Sequence, residues 1–191
     1  MTEPIFTELD SRMAVVERWS VLRTSRKQNI AEHSYMVAII ADRLRDRLFR
    51  WIDAGDLFRY ALYHDYDETM TGDMPTYMKV HFPDKPFTGK MAEVEGMPGA
   101  MLHWESNLTP DELTIRKIVK VADFMEALFF LQMEISVGNS TVESQYVKHH
   151  HAFRLWLEKQ WTDSTPIAIL EIWQATLDQT FGRHGQFRSK F

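Results

Sequence analysis

Residues 109–139 read TPDELTIRKIVKVADFMEALFFLQMEISVGN, and they contain the clearest helix start in the chain. Thr109 is a typical N-cap residue, Pro110 suits the first helical position, and Glu112 completes a capping box. Gly138-Asn139 supplies a typical helix end. The pattern therefore predicts one long helix, and it favours a helical fold.

The middle of this helix contains an aspartate in apolar surroundings. Asp123 has Val121, Ala122 and Phe124 as its nearest neighbours. An unpaired carboxylate buried there would cost several kcal/mol, so we expect a compensating group. That group is either a basic side chain or a metal ion, unless Asp123 lies on the solvated face of the helix.

Hydrophobic spacing and breakers predict the remaining elements. A helix is expected over 5–19, a second after the Asn29 and Glu32 capping pair, a third from about Asp53, and two more over 141–161 and 166–181. A structured loop is expected over 71–90, and two short helical pieces over 91–104. We therefore predict an all-α fold, with residues 1–191 forming a single compact domain.

Composition excludes several classes of protein. The chain has 191 residues, a net charge of −5 and no cysteine, and no apolar run is long enough to cross a bilayer. A signal peptide is not apparent at the N-terminus, so we expect a cytoplasmic protein without membrane or nucleic-acid partners. The missing thiolates leave histidine and carboxylate as the ligands for any metal.

Four residues form the candidate metal site, namely His33, His64, Asp65 and Asp123. Each occupies a helical position that can face inward, and two imidazoles with two carboxylates suit Zn, Mn, Fe or Co. The alternative for His33 is a hydrogen-bonded core histidine, since a lone histidine on an apolar helix face usually has that role. His149-His150-His151 is a poor candidate, because consecutive helical residues point about 100° apart.

Five sequence blocks resemble the HD-domain superfamily of metal-dependent phosphohydrolases. They resemble most closely its bacterial deoxyribonucleoside 5'-monophosphatase branch and the related phage dATP triphosphohydrolases. The resemblance covers about residues 5–145, with the helices of 141–182 adding little. The blocks are Glu17-Arg18-Trp19, Asn29-Ile30-Ala31-Glu32-His33-Ser34, Tyr63-His64-Asp65-Tyr66-Asp67-Glu68, Thr71-Gly72-Asp73-Met74-Pro75-Thr76 and Lys120-Val121-Ala122-Asp123.

The resemblance implies roles for individual residues. A divalent metal, expected to be Co, Mn or Zn with Mg as a further candidate, would be held by His33, His64, Asp65 and Asp123. Glu68 would be the acid/base residue beside the attacking water, and Asp65 and Arg18 would share in catalysis. The nucleotide site would be lined by Arg18, Trp19, Asp73, Thr76 and Lys79.

The implied activity is hydrolysis of a deoxyribonucleotide phosphate ester, most simply by a 5'-nucleotidase acting on monophosphates. One alternative is a dNTP triphosphohydrolase, such as one directed at dATP, for which Arg23, Arg26 and Lys27 would offer extra phosphate contacts. The same basic residues would otherwise be a solvated connection between helices. A second alternative is a non-catalytic regulatory module that binds nucleotides.

Self-association is also expected, as a homo-oligomer of two or more chains. Trp156, Trp161 and Trp173 make the C-terminal helices rich in large apolar side chains. The same residues would otherwise close the core.

Overall fold

The computed structural model describes residues 7–73 and 108–182, and these residues are mostly helical. Within those ranges the helices are α1 (Glu8–Arg12), α2 (Ile30–Leu48), α3 (Ala54–Tyr63), α4 (Glu68–Thr71), α5 (Pro110–Ser136), a 3₁₀ helix (Ser140–Val142), α6 (Glu143–Gln160) and α7 (Thr165–Phe181). The same ranges contain no strand, only one isolated antiparallel bridge between Glu17 and Asn29. The all-α fold class is thus confirmed. The predicted helical pieces of 91–104, and most of the predicted loop of 71–90, lie outside the described residues.

Two units divide the chain at residue 122, inside α5. The first unit, Met1–Ala122, contains α1 to α4 and the first half of α5. Helices α2 and α3 pack against each other most extensively among the described elements. The buried side chains of these two helices include Val37, Ala41, Leu57 and Ala61. Burying such side chains stabilises the fold by about 1.5–3 kcal/mol each for the larger ones.

The second unit, Asp123–Phe191, is built on aromatic side chains. Phe124 stacks on Phe153 at 5.4 Å between ring centroids, and Trp156 lies 5.9 Å from Trp161 in an edge-on arrangement. Trp173 is buried. Trp173 therefore belongs to the interior of this unit, while Trp156 and Trp161 are half-buried, and the expected self-association remains a prediction.

The long helix begins where the sequence predicted. Thr109 Oγ1 accepts from the backbone N–H of Glu112 at 3.2 Å, and Glu112 Oε2 accepts from the backbone N–H of Thr109 at 2.7 Å. At the other end Gly138 has φ of +94°, a conformation that favours glycine. The predicted starts of α2 and α3 are likewise confirmed, with Asn29 and Asp53 as their N-caps, and α7 begins at Thr165, one residue before the predicted Pro166.

The prediction of a first helix over 5–19 was wrong, since α1 covers only Glu8–Arg12. The chain beyond it pairs with the segment that leads into α2. Met13 and Val16 carbonyls accept from the backbone N–H groups of Ala31 and Ile30 at 2.9 and 3.1 Å. Those tertiary hydrogen bonds replace the intrahelical ones that hydrophobic spacing alone had suggested.

None of the helices that the structure describes combines the length and apolar character needed to cross a membrane.

Candidate metal centre

His33 is positioned by the start of α2. Asn29 caps this helix by accepting from the backbone N–H of Glu32 at 2.8 Å, which places His33 in the first turn. The His33 side chain has no solvent exposure and lies on the same face as Ile30 and Val37. Its expected location on the buried side of the helix is confirmed.

His64 and Asp65 follow the end of α3 directly. His64 is the C-cap residue, and its Nδ1 lies 2.8 Å from the Ala61 carbonyl oxygen. A carbonyl can only accept a hydrogen bond, so Nδ1 carries the proton and donates it. Nε2 then keeps the lone pair, which is the tautomer that a metal ligand needs.

The ligand atoms of three residues converge. One ligand atom each from His33, His64 and Asp123 lie within 4.8 Å of one another. Asp65 Oδ2 is 3.4 Å from His33 Nε2 and 3.5 Å from His64 Nε2. The four predicted ligands thus provide imidazole nitrogens and carboxylate oxygens close together.

The spacing and chemistry of these donors fit a divalent metal. Ligand atoms about 2.1 Å from a tetrahedral ion lie ~3.4 Å apart, which matches both Nε2 to Oδ2 distances. Imidazole and carboxylate ligands suit Zn, Mn, Fe and Co. Two carboxylates in a largely buried site also favour a cation that compensates their charge.

Basic side chains on α5 contribute to the field near Asp65. The pKa of Tyr60 is raised, chiefly by burial and also by the negative charge of Asp65. The positive charges of Arg116 and Lys120 act in the opposite direction and lower it. Arg116 also lies over the Tyr60 ring, 5.9 Å from its centroid. The first half of α5 thus brings two positive charges to the region of Tyr60 and Asp65, an arrangement that favours an anionic ligand there.

Glu68 is buried, with 2% of its surface exposed. The helix of His64 does not continue to it. The chain turns after Tyr63, through a hydrogen bond of 3.0 Å from the Tyr66 N–H to the Tyr63 carbonyl, and Glu68 begins α4. Its own N–H donates to the Asp65 carbonyl at 3.0 Å. This burial excludes an ordinary exposed glutamate at a helix end.

Trp19 has an unusual backbone conformation, with φ of +63°. Such a conformation costs about 1–3 kcal/mol for a residue other than glycine. The carboxylate of Asp73 accepts from the Trp19 backbone N–H at 2.7 Å, and the Gln28 side chain accepts from the indole Nε1–H at 3.0 Å. The Arg18 guanidinium lies 5.6 Å from the centroid of the Trp19 ring.

Gln28 was missed by sequence reasoning. It is buried, with 1% exposure, and it lies beside Lys27 in a segment whose charge suggested a solvated connection. Nothing in the local pattern signals its partner Trp19, nine residues away. The predicted contact residues Thr76 and Lys79 lie outside the described residues.

Two of the basic residues considered for extra phosphates are engaged in ion pairs. Arg26 lies 3.2 Å from Glu32, and Lys27 lies 2.8 Å from Glu17. All four side chains are largely exposed, so each pair contributes little to stability. At Arg26 and Lys27, the basic cluster is therefore the solvated connection between helices that its charge suggested.

The histidine run 149–151 has local partners. His149 Nδ1 lies 3.0 Å from the Gln145 side-chain amide nitrogen, and the His150 ring stacks on Tyr146 at 6.1 Å. Burial lowers the pKa of His150, and the charge of Arg154 lowers it further. The group of potential metal ligands found within residues 7–73 and 108–182 does not include these histidines.

The candidate ligands are one histidine from α2, a His-Asp pair from the end of α3 and an aspartate from the middle of α5. This arrangement is typical of HD-domain metal-dependent phosphohydrolases. A family model described as 5'-deoxynucleotidase YfbR-like matches residues 5–159. The chain belongs to this YfbR-like family.

Relatives agree with that assignment, and a solved structure shares the fold. The 5'-deoxynucleotidase yfbR of Photorhabdus temperata is 33% identical over 147 residues, which cover 68% of this chain and 73% of that protein. A 5'-deoxynucleotidase of Yersinia pestis is 31% identical over 144 residues, with the same coverage of 68% and 73%. Among solved structures, the cyanophage S-2L HD phosphohydrolase DatZ, bound to dA and one catalytic Zn²⁺ ion, has a TM-score of 0.73 at 24% identity. The match covers 94% of this chain and 99% of DatZ.

Proposed function

We propose that this protein is a metal-dependent 5'-deoxynucleotidase, which hydrolyses the phosphate ester of deoxyribonucleoside 5'-monophosphates. The observation that carries the proposal is the cluster of imidazole and carboxylate ligand atoms, with Asp65 Oδ2 at 3.4 and 3.5 Å from two histidine nitrogens. The family match and the relatives named 5'-deoxynucleotidase support the same substrate class.

His33, His64, Asp65 and Asp123 would hold the metal. When bound, a divalent ion lowers the pKa of a water ligand and polarises the phosphoryl oxygen. The protein supplies ligand orientation, because the hydrogen bond from His64 Nδ1 to the Ala61 carbonyl fixes the tautomer and the ring direction.

Glu68 moves the proton in this proposal. Its carboxylate takes a proton from the water as the new oxygen–phosphorus bond forms, and it returns a proton to the 5'-oxygen as the ester bond breaks. The products are inorganic phosphate and a deoxyribonucleoside. Burial suits this role, because it shields the carboxylate from bulk water.

Arg18 and Trp19 bind the substrate on either side of the scissile bond. The guanidinium of Arg18 offers paired donors to the phosphoryl oxygens, and the Trp19 ring forms an apolar wall against C2' of the sugar. A contact of Asp73 with the 3'-hydroxyl would use the carboxylate oxygen that does not hold the Trp19 backbone. Thr76 and Lys79, which lie outside the described residues, are proposed to complete the nucleotide site.

A monophosphate is favoured over a triphosphate by the family match and by relatives that are named 5'-deoxynucleotidase. The ion pairs of Arg26 and Lys27 are exposed and weak, so they leave these side chains able to meet a phosphate. A non-catalytic regulatory module is disfavoured, because it has no need to bury Glu68 beside the ligand Asp65.

Product analysis separates these functions. The purified chain is incubated with dAMP, AMP and dATP in the presence of Co²⁺, Mn²⁺, Zn²⁺ or Mg²⁺, and orthophosphate is resolved from triphosphate. Orthophosphate from dAMP is the expected product. Triphosphate released from dATP, without turnover of dAMP, would identify a triphosphohydrolase, and tight binding without any product would indicate a regulatory module.

The organisation and assembly of the chain are proposals of the same kind. We propose that residues 1–191 act as a single HD domain, and that the protein self-associates. Light scattering at several concentrations measures the assembly directly.

A further inference from the structure

Within residues 7–73 and 108–182, Trp19 is the one residue other than glycine that has a positive φ. A strained conformation of this kind persists where surrounding contacts hold it in place. The contacts of Trp19 include a hydrogen bond from its backbone N–H to Asp73 and one from its indole N–H to Gln28.

Gln28 connects Trp19 to the helix that carries His33. Its backbone carbonyl accepts from the Arg18 N–H at 2.8 Å, while its side-chain oxygen accepts from the Trp19 indole. Asn29, the next residue, is the N-cap of α2. One buried glutamine therefore fixes the backbone of Arg18 and the ring of Trp19 relative to the first turn of α2.

We infer that Gln28 is a positioning residue for sugar selection, and this inference rests on the proposed function of Trp19 as a wall against C2'. An indole ring can rotate about its side-chain torsions unless its polar edge is held. The Gln28 oxygen holds that edge. Without this acceptor the ring loses its fixed orientation, and the space that excludes a 2'-hydroxyl opens.

The test is a double-mutant cycle on sugar selectivity. kcat/KM is measured for dAMP and AMP with the metal-loaded wild type, Gln28→Leu, Trp19→Phe and the double variant. Gln28→Leu removes the acceptor, and Trp19→Phe removes the donor but keeps an aromatic ring. Each single variant should lower the dAMP/AMP ratio by about fivefold, the usual net effect of one neutral hydrogen bond. The double variant should fall no further than either single variant.

Gln132→Leu is the matched control, since it makes the same change at another buried glutamine. It should keep the wild-type ratio. An unchanged ratio in Gln28→Leu would overturn the inference, as would losses that simply add in the double variant. If Gln28→Leu does not fold, Trp19→Phe decides alone, and a wild-type ratio in that variant refutes the positioning role.

Failure of the inference is distinct from failure of the proposed function. A dAMP/AMP ratio of kcat/KM near one in the wild type would show that Trp19 does not exclude the 2'-hydroxyl. A ratio well above ten in the wild type, with no change in Gln28→Leu, would leave the sugar wall intact and refute only the role of Gln28.

Discussion

Glu68→Gln separates proton transfer from metal binding. Glu68 is buried, with 2% exposure, so an amide of the same size keeps its packing and creates no cavity. The turn that positions it uses the backbone N–H of residue 68 and the Asp65 carbonyl, which the substitution does not alter. The change therefore removes mainly the ability to accept and return a proton.

The expected loss in kcat is about 10²- to 10⁴-fold, the usual contribution of a general acid/base. That range corresponds to about 2.7–5.4 kcal/mol in the activation free energy. Orthophosphate release from dAMP measures the rate, and elemental analysis of the same sample measures the bound metal, which should equal that of the wild type.

Glu134→Gln is the matched control, because Glu134 is also 2% exposed and lies outside the proposed site. Its carboxylate accepts from the Asn139 side-chain amide at 2.8 Å, and the amide oxygen of a glutamine can accept the same bond, so this variant should keep its fold and its turnover. A Glu68→Gln variant that works within threefold of the wild type would refute the catalytic role of Glu68.

Three further predictions follow from the site and the helix caps. His64→Ala and Asp123→Ala should each lose bound metal and hydrolysis together, since each removes a ligand; normal metal content with normal turnover would contradict the ligand set. Trp19→Ala should lower a dAMP/AMP selectivity that exceeds about tenfold in the wild type, and an unmoved kcat/KM ratio would return Trp19 to a packing role. Hydrogen bonds from Thr109 lower the pKa of Glu112 from its ordinary value of 4.5. The charged form of Glu112 therefore stabilises the fold at pH values above 4.5, and this stabilisation is lost as the pH falls through the lowered pKa. The Tm difference between wild type and Glu112→Gln should therefore shrink between pH 6 and about pH 3; a constant difference would contradict this.

Helix starts were predictable because their signals are local. Thr109 and Glu112 bind each other across three residues, and Asn29 and Asp53 cap their helices over the same short span. Capping of this kind depends little on the rest of the fold. The buried face of α2, and with it the location of His33, followed from the helical period.

Features that depend on distant residues were not predictable. The segment 13–18 turns away from helix because it pairs with residues 28–31. The conformation of Trp19 depends on Asp73, which is 54 residues away in the sequence. The burial of Glu68 likewise results from the turn after α3 and the short helix α4, and hydrophobic spacing carries no signal for either.

Metal removal and reconstitution test the central claim most directly. The chain is treated with a chelator, freed of it, and assayed for orthophosphate release from dAMP before and after addition of Co²⁺, Mn²⁺ or Zn²⁺, with His64→Ala in parallel. The account predicts no hydrolysis in the stripped wild type, recovery with added metal, and no recovery in His64→Ala. Undiminished hydrolysis by the stripped protein, or full recovery in His64→Ala, would contradict a hydrolase whose metal is held by His33, His64, Asp65 and Asp123.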